Sequence, residues 1–331
     1  MKSNSLHLAL AALCLGLFVF AGCNGARSKK APSQSDAVQT RAFPETEVPM
    51  MYEGDDRLTF KALHYWDAYL DTSKVFYSDT AIYNGVAKDN IEKAFGTYAV
   101  MVEMLPLSKG IEAVSSLFDQ ADMFFRKDTA SRMLERVTFY VQKYFYDPNS
   151  PVRNEDLYLP FVTKLSLSPS VPQDRHPGYA FDARMCSLNR IGAKAADFEF
   201  TDLRGRIRSL YSVRAPFTLL FFSNPGCPSC KGIIEALTAD GKIADMVSSG
   251  KLAVVNIYID QEIDKWKEYA GVYPKNWFSG YDHKYIIRTD VLYNVRAIPS
   301  MYILDKDKKV IMKDAPEDKA LGYLDNLPEN N

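Results

Sequence analysis

The chain has 331 residues, which exceeds the usual size of one domain and predicts two. Apolar residues make up 47% and charged residues 24%, proportions that exclude a disordered or collagen-like chain. The 40 Lys and Arg residues are balanced by 41 Asp and Glu residues. Because this balance leaves no positive field to gather phosphates, we expect no nucleic-acid partner.

The first residues are typical of an export signal. Lys2 gives a positive start, and the uncharged run from Leu8 to Phe20 is too short for a transmembrane helix, which needs about 20 residues. Phe20-Ala21-Gly22-Cys23 resembles the lipobox of bacterial lipoproteins, which implies that residues 1–22 are removed and that Cys23 is lipidated. A plain signal peptide with an incidental cysteine is the alternative. We therefore expect an exported protein, lipid-anchored to a membrane and facing the periplasm.

The stretch at 23–47 is rich in Ser, Ala, Lys, Gln and Pro without apolar periodicity, and it predicts a flexible tether. With the signal removed and Cys23 lipidated, Cys186, Cys227 and Cys230 remain as thiols. In an exported protein the closely spaced pair can oxidise and cycle, whereas the odd Cys186 is either buried or reactive.

Apolar residues recur at helical spacing from about residue 58 to 168, which predicts an all-α domain over residues 48–180. Its clearest stripes are Ile91, Phe95, Tyr98, Val102 and Leu105, then Ile111, Val114, Leu117 and Ala121, then Met133, Val137, Tyr140 and Tyr144. We interpret these stripes as packing faces. Asp89 and Glu92 resemble a capping box, Asn154 suits the cap of a later helix, and Pro169 to Pro177 predicts a loop or hinge.

The period changes in the region that we predict as a second domain, residues 188–331. A hairpin is predicted from Phe198 to Leu210, and apolar runs at 217–222 and 252–259 predict strands that are buried on both faces of a sheet. A helix through Ile233, Ile234 and Leu237 separates these runs. A second hairpin joins residues 301–304 to 310–312, and a last helix carries Leu321, Leu324 and Leu327. The pattern indicates an α/β domain with a central sheet flanked by helices.

The motif Cys227-Pro228-Ser229-Cys230 follows a predicted buried strand and begins a predicted helix. A thiol must ionise to act as a nucleophile, and the free amide hydrogens of a helix N-terminus stabilise the anion. Pro228 fits the first helical position. We therefore assign Cys227 as the attacking thiol and Cys230 as the resolving thiol, with Ser229 offering at most a hydroxyl hydrogen bond.

Four landmarks resemble membrane-anchored thioredoxin-like oxidoreductases of the TlpA/ResA kind, over roughly residues 190 to 328. They are the segment at 196–202, the strand and motif at 217–230, Ile298-Pro299, and the charged turn at 305–309. The resemblance implies a thioredoxin-like fold, a cis peptide before Pro299, and a backbone at Ile298 that pairs with an extended substrate chain. It also implies protein disulfide substrates and a membrane electron donor. We expect no cofactor and no metal.

Two segments of the first half resemble a helical domain of unknown function. They are Tyr65 to Tyr69 and Asp147 to Tyr158. That domain precedes thioredoxin-like modules in lipoproteins of the Bacteroides group, and the resemblance covers roughly residues 45 to 180. It implies no activity.

The sequence departs from the thioredoxin pattern around the motif. Gly226 stands where a Trp is usual, and Phe221 and Ile233 occupy positions that carry a carboxylate in relatives. Glu235 is near in sequence, but nothing in the sequence brings it to Cys230. These departures predict slow or specialised turnover. The segment at 261–296 is long for this fold, and we expect Trp266, Trp277 and Tyr281 to pack an inserted helix or loop.

Other functions compete with that of an enzyme that reduces protein disulfides. A binding or scaffolding lipoprotein, whose helical domain holds a partner while the dithiol is incidental, is the open alternative. A peroxidase of the peroxiredoxin type is excluded because Asn224 and Leu220 replace its Thr and Pro. A zinc site is disfavoured, since Cys186 and His176 do not form a second closely spaced ligand pair.

Overall fold

The computed structural model describes residues 40–327, in which helices come first and a mixed β-sheet follows. The predicted signal peptide and Cys23, the predicted lipidation site, lie outside these described residues. Within residues 40–327 no helix is both long enough and apolar enough to cross a membrane.

The first half is built from helices around its own core, as the apolar stripes predict. Phe95, Tyr98, Val114 and Tyr140 are buried in this core. The helices are α1 (Gly54–Leu63), α2 (Lys88–Glu103), α3 (Leu107–Lys127), α4 (Met133–Val141), α5 (Glu155–Leu165) and α6 (His176–Cys186). A short hairpin, β1 (Ile82–Tyr83) with β2 (Val86–Ala87), lies between α1 and α2 and was not predicted.

Of the two helix starts for which a cap was predicted, one is as expected and the other is not. Asn154 caps α5 as predicted, because its side chain accepts hydrogen bonds from the amides of Asp156 and Leu157. The capping box predicted at Asp89 is wrong, since α2 already begins at Lys88 and Asp89 lies in its first turn, where its charge favours the helix dipole.

The segment predicted as a hinge, Pro169 to Pro177, contains the start of a helix. Pro177 occupies the first turn of α6, where a missing amide hydrogen costs nothing. Helix α6 packs on α5 and carries the helical region on to Cys186, beyond the predicted end at residue 180. The predicted boundaries of the two domains stay predictions.

The predicted tether extends too far along the chain. The Arg41 amide donates a hydrogen bond to the carbonyl oxygen of Gly85, and the Arg41 guanidinium lies over the Phe76 ring. The Phe43 ring contacts Trp66 and Tyr69 in the helical core, at 5.3 Å between ring centroids in each case. Residues 41 and 43 therefore belong to the folded part of the chain, since their side chains pack against aromatic rings.

Among the described residues, the second half forms a seven-stranded sheet in the order β4-β3-β7-β6-β5-β8-β9. The strands are β3 (Glu199–Asp202), β4 (Ile207–Ser209), β5 (Phe217–Phe222), β6 (Leu252–Tyr258), β7 (Phe278–Tyr281), β8 (Ser300–Leu304) and β9 (Val310–Met312). Strands β5, β6 and β7 are parallel to one another, whereas the other pairings are antiparallel.

Strand β5 is buried on both faces because successive residues point to opposite sides of the sheet. Leu219 and Phe221 join one core, and Leu220 and Phe222 join the other. The helices of this half are α7 (Pro228–Ala239), α8 (Gly241–Ser248), α9 (Ile263–Tyr269), α10 (Ile286–Thr289) and α11 (Glu317–Asp325). The predicted central sheet flanked by helices is thus present.

The long segment at 261–296 differs from the expected inserted helix or loop. It supplies α9, but its strand β7 lies inside the sheet, between β6 and β3. Tyr281 belongs to this strand, and the buried Trp266 contacts it at 5.1 Å between ring centroids. Helix α9 agrees with the expected helix, but the strand was missed because β7 is only four residues long and contains Gly280, which weakens a strand pattern.

We predict that Gly280→Ala destabilises the protein by about 1–3 kcal/mol, the range typical of overpacking. A Cβ atom at this position would lie 2.5 Å from Cδ2 of Phe200 and 2.8 Å from the carbonyl oxygen of Thr201. The free energy of unfolding, measured in urea, checks this. Gly241→Ala is the control, because no atom lies within 4 Å of its added Cβ. Equal stability of the two variants would contradict the predicted contact.

Candidate functional site

The candidate site lies at one end of the sheet, where two loops meet. Strand β5 runs toward this end and continues into the turn that precedes α7. Strand β8 is antiparallel to β5 and starts here, since Ser300 pairs with Phe222. Residues 296–300, which lead into β8 and end at its first residue, are called the proline loop below. The strand pairing therefore brings the proline loop beside the start of α7.

Cys227 and Cys230 form a disulfide, with 5.3 Å between their Cα atoms. Cys227 is the N-cap residue of α7, Pro228 is its first residue, and the Cys230 amide donates a hydrogen bond to Sγ of Cys227 over 3.1 Å. Cys227 is partly exposed, and Cys230 is 1% exposed. A substrate can thus reach Cys227 but not Cys230, an arrangement that favours the predicted roles of attacking and resolving thiol.

The turn before Cys227 accounts for the glycine that stands where a Trp is usual. Gly226 has a φ of +72°, a left-handed conformation that favours glycine. No atom lies within 4 Å of a Cβ built on it, so the backbone conformation rather than space selects glycine here. Ser229, the remaining residue of the motif, is exposed.

The proline loop carries the second predicted feature. The peptide bond between Ile298 and Pro299 is cis. Ile298 packs against the same apolar core as Cys227, and Cys230 is buried in that core. The structure therefore brings Cys227, Cys230, Ile298 and Pro299 to one place, while substrate binding by the Ile298 backbone stays a prediction.

Asp314 binds both ends of the proline loop. Its Oδ2 accepts a hydrogen bond from Nη2 of Arg296 over 2.8 Å, and its Oδ1 accepts one from the Ser300 hydroxyl over 2.7 Å. The carboxylate is 5% exposed, so these charge-assisted contacts are made away from water. Sequence reasoning missed Arg296 and Asp314, because no local pattern links positions 18 residues apart.

A buried group of neutral polar side chains lies beside Phe221. Asn256 is the neighbour of Phe221 across the β5–β6 pairing, and its Oδ1 accepts a hydrogen bond from the Ser223 hydroxyl over 2.6 Å. The hydroxyl of Tyr273 lies 3.5 Å from that of Ser223, and burial raises the pKa of Tyr273. This part of the core is therefore polar but holds neutral groups.

The carboxylate nearest in sequence to the motif lies at the surface beside a lysine. Glu235 is exposed and lies 3.6 Å from the ammonium of Lys231, one turn earlier on α7. Ile233, at the position where some relatives carry Glu, is fully buried and apolar. Neither residue offers Cys230 a proton acceptor, in keeping with the departures seen in the sequence.

Cys186 is not part of the dithiol site. It is buried in the core of the helical half, and burial raises the pKa of its thiol. His176 places Nε2 3.1 Å from the carbonyl oxygens of Ser168 and Val171. Among residues 40–327, no group of three or more His, Cys, Asp or Glu side chains is arranged to hold a metal ion.

We predict that Cys186 resists alkylation in the folded, reduced protein. After reduction with a phosphine and treatment with iodoacetamide, Cys227 should be fully modified while Cys186 stays unmodified, because burial keeps its thiol protonated and inaccessible. Peptide mass spectrometry measures both sites. In urea Cys186 should react, and modification of Cys186 in the native protein at the rate of Cys227 would contradict its assigned burial.

The chain is similar to a thioredoxin-like protein from Bacteroides caccae whose crystal structure is known. The two are 33% identical, the match covers 86% of this chain and 98% of that protein, and the TM-score is 0.75. This similarity confirms the thioredoxin-like fold class. The family described as a domain of unknown function (DUF5106) matches residues 22–181. A comparison with curated proteins finds no match.

Two further solved structures match a smaller part of the chain. The C-terminal domain of an uncharacterized protein from Bacteroides fragilis is 43% identical over 42% of this chain and 99% of that one, with a TM-score of 0.40. A domain of a possible thiol-disulfide isomerase from Cytophaga hutchinsonii is 24% identical over 42% of this chain and 92% of that one, with a TM-score of 0.36.

Proposed function

We propose that this chain reduces disulfide bonds in other proteins, because it belongs to the family of thioredoxin-like proteins and carries a DUF5106 region ahead of its sheet. The fold supports a redox role. The observation that carries the proposal is the position of Cys227, which lies partly exposed at the N-terminus of α7, with the Cys230 amide donating to its sulfur. This is where a thiolate is stabilised and reachable at once.

The reaction starts from the dithiol form of the site. The Cys227 thiolate attacks one sulfur of the substrate disulfide, that bond breaks, and the departing substrate thiolate takes up a proton. Cys230 then loses its proton and attacks Sγ of Cys227, which releases the second substrate sulfur as a thiol. The substrate gains two electrons and two protons, and the protein is left with the Cys227–Cys230 disulfide, the form seen in the structure.

The proline loop supports a polypeptide as the substrate. Ile298 packs in the apolar core that borders the disulfide, one residue before Pro299. In thioredoxin-like proteins the backbone at this position pairs with an extended chain, and we assign the same role to Ile298. A substrate held in this way presents its disulfide to Cys227.

The oxidised site must be reduced again by a dithiol donor, and we propose that this donor lies in the membrane. The support is in the sequence: Lys2, the apolar run from Leu8 to Phe20, and Ala21 and Gly22 directly before Cys23. Lipid on Cys23 would hold the folded part at the periplasmic face of a membrane, within reach of both a donor and exported substrates.

We predict that Cys227→Ser and Cys230→Ser each reduce the rate of protein-disulfide reduction to that of the protein-free reaction. Neither variant can complete the exchange. Cys227→Ser has no sulfur to form the mixed disulfide with the substrate, and Cys230→Ser has none to form the internal disulfide that releases it. Turbidity of insulin in the presence of a dithiol reductant measures the rate. Variants as active as the wild type would refute the proposal and favour the alternative, a binding lipoprotein in which the dithiol is incidental.

We also predict that the protein carries lipid on Cys23. Cells of a diderm bacterium that express the full chain and are fed an alkyne-labelled fatty acid should yield labelled protein in the membrane fraction. Cys23→Ser should be unlabelled, because the thiol that accepts the diacylglyceryl group is absent. Equal labelling of both, or no label on the wild type, would contradict lipidation at this residue.

A further inference from the structure

A buried carboxylate of the helical half reaches into the segment that forms the proline loop. Glu155 is the first residue of α5 and is 2% exposed. Its Oε1 lies 2.9 Å from Nε of Arg296 and accepts a hydrogen bond from Nδ2 of Asn294 over 2.5 Å. Its Oε2 lies 2.8 Å from Nζ of Lys313. All three partners belong to the sheet half, on either side of β8 and β9.

Arg296 passes this contact on to the proline loop. While Nε faces Glu155, Nη2 donates to Asp314, and the guanidinium lies over the Tyr146 ring at 4.3 Å from its centroid. Its side chain is thereby held on three sides, two of which belong to the helical half. Ile298 lies between Arg296 and Ser300, which are both bound to Asp314. The backbone of Ile298 is therefore fixed from both directions.

The helical half holds Asp314 by a second route. Nε and Nη2 of Arg153 donate to the carbonyl oxygens of Asp314 and Ala315, each over 2.8 Å. Lys313, next to Asp314, donates to the carbonyl oxygen of Cys186 at the end of α6 over 2.6 Å. Asp314 and its neighbours are thus bound to Arg153, just before α5, and to Cys186, the last residue of α6.

Burying the Glu155 carboxylate costs free energy of desolvation, which its partners must offset. A buried carboxylate must be paired, and the partners of Glu155 within residues 40–327 surround the proline loop and Asp314. Burial raises the pKa of Glu155, and the charges of Lys313 and Arg296 act in the opposite direction. A neutral side chain at 155 would leave both cations without this partner.

We propose that Glu155 is a positioning residue that sets the backbone of Ile298 for polypeptide binding, so that the DUF5106 region completes the substrate site of the thioredoxin-like half. This inference rests on the proposed function. Glu155 does not touch the substrate, and it acts through Arg296. Reduction of a polypeptide disulfide depends on it, whereas reduction of a small disulfide that has no chain to pair with Ile298 does not.

The test compares Glu155→Gln with Asp156→Asn in the full chain. Asp156 is the matched control because it is the next residue, is 1% exposed, and also binds the sheet side of the chain, with Oδ1 2.9 Å from Nε of Arg190. Its partners Arg190 and Ile191 lie between α6 and β3 and not in the proline loop. A general loss of stability would affect both variants alike.

Two substrates separate binding from chemistry. With insulin, Glu155→Gln should raise KM about tenfold or more with little change in kcat, because the binding backbone is misplaced while Cys227 is not. With the small disulfide 5,5′-dithiobis(2-nitrobenzoate), both variants should match the wild type. Unchanged KM in Glu155→Gln, equal loss on both substrates, or the same rise in KM in Asp156→Asn would overturn the proposal.

Hydrogen exchange gives a readout that does not depend on activity. The backbone amides of Ala297, Ile298 and Ser300 should exchange faster in Glu155→Gln and not in Asp156→Asn, and equal exchange would overturn the proposal. If the wild type reduces neither substrate, the proposed function fails while this measurement still tests the positioning. Should Glu155→Gln not fold, Arg296→Lys takes its place, since lysine keeps the charge but cannot bridge Glu155 and Asp314. An unchanged KM for insulin and unchanged hydrogen exchange in Arg296→Lys would also overturn the proposal.

Discussion

The pairing of β5 with β8 is the constraint on which the site depends. Phe222 ends β5 opposite Ser300 at the start of β8, so the chain leaving one strand and the chain entering the other must meet at the same end of the sheet. The first chain turns at Gly226 and presents Cys227 at the start of α7, and the second carries Ile298 and Pro299. Cys227 and the backbone of Ile298, to which we assign attack and substrate binding, are therefore neighbours because of the strand pairing.

The helical half adds a second constraint through charge. Five charged side chains, from Arg153, Glu155, Arg296, Lys313 and Asp314, lie at the junction of the two halves and are at most partly exposed. Because each buried ion needs its partners, removal of any one of them leaves a buried charge uncompensated. The junction is thus held by contacts that also determine where the proline loop lies.

Much of the sheet half was predictable because its signals are local. The runs at 217–222 and 252–258 are strands buried on both faces, and a motif between such a strand and a helix has one place in the fold. Helix α8 and strand β7 escaped prediction because they are short, eight and four residues long. Arg41 and Phe43 were assigned to the tether because their neighbours in sequence are polar, whereas their aromatic partners lie more than 20 residues along the chain.

The ion group at the junction was beyond sequence reasoning for a different reason. Glu155 and Arg296 are 141 positions apart, and a glutamate in the first turn of a helix is ordinarily explained by the helix dipole alone. The contacts of Glu155 with Asn294, Arg296 and Lys313 are visible only in the folded chain. Residues 147–158, which resemble a helical domain of unknown function, include Arg153 and Glu155 but not their partners in the sheet half.

In the proposed reaction, Cys227 is the thiol that attacks a substrate disulfide. The most direct measurement is the intact mass of the reduced Cys230→Ser and Cys227→Ser variants after brief exposure to a peptide with one internal disulfide. We expect Cys230→Ser to gain the mass of the peptide through a mixed disulfide on Cys227 and Cys227→Ser to gain none, because Cys230 is buried. An adduct that forms on Cys227→Ser but not on Cys230→Ser would contradict the assignment.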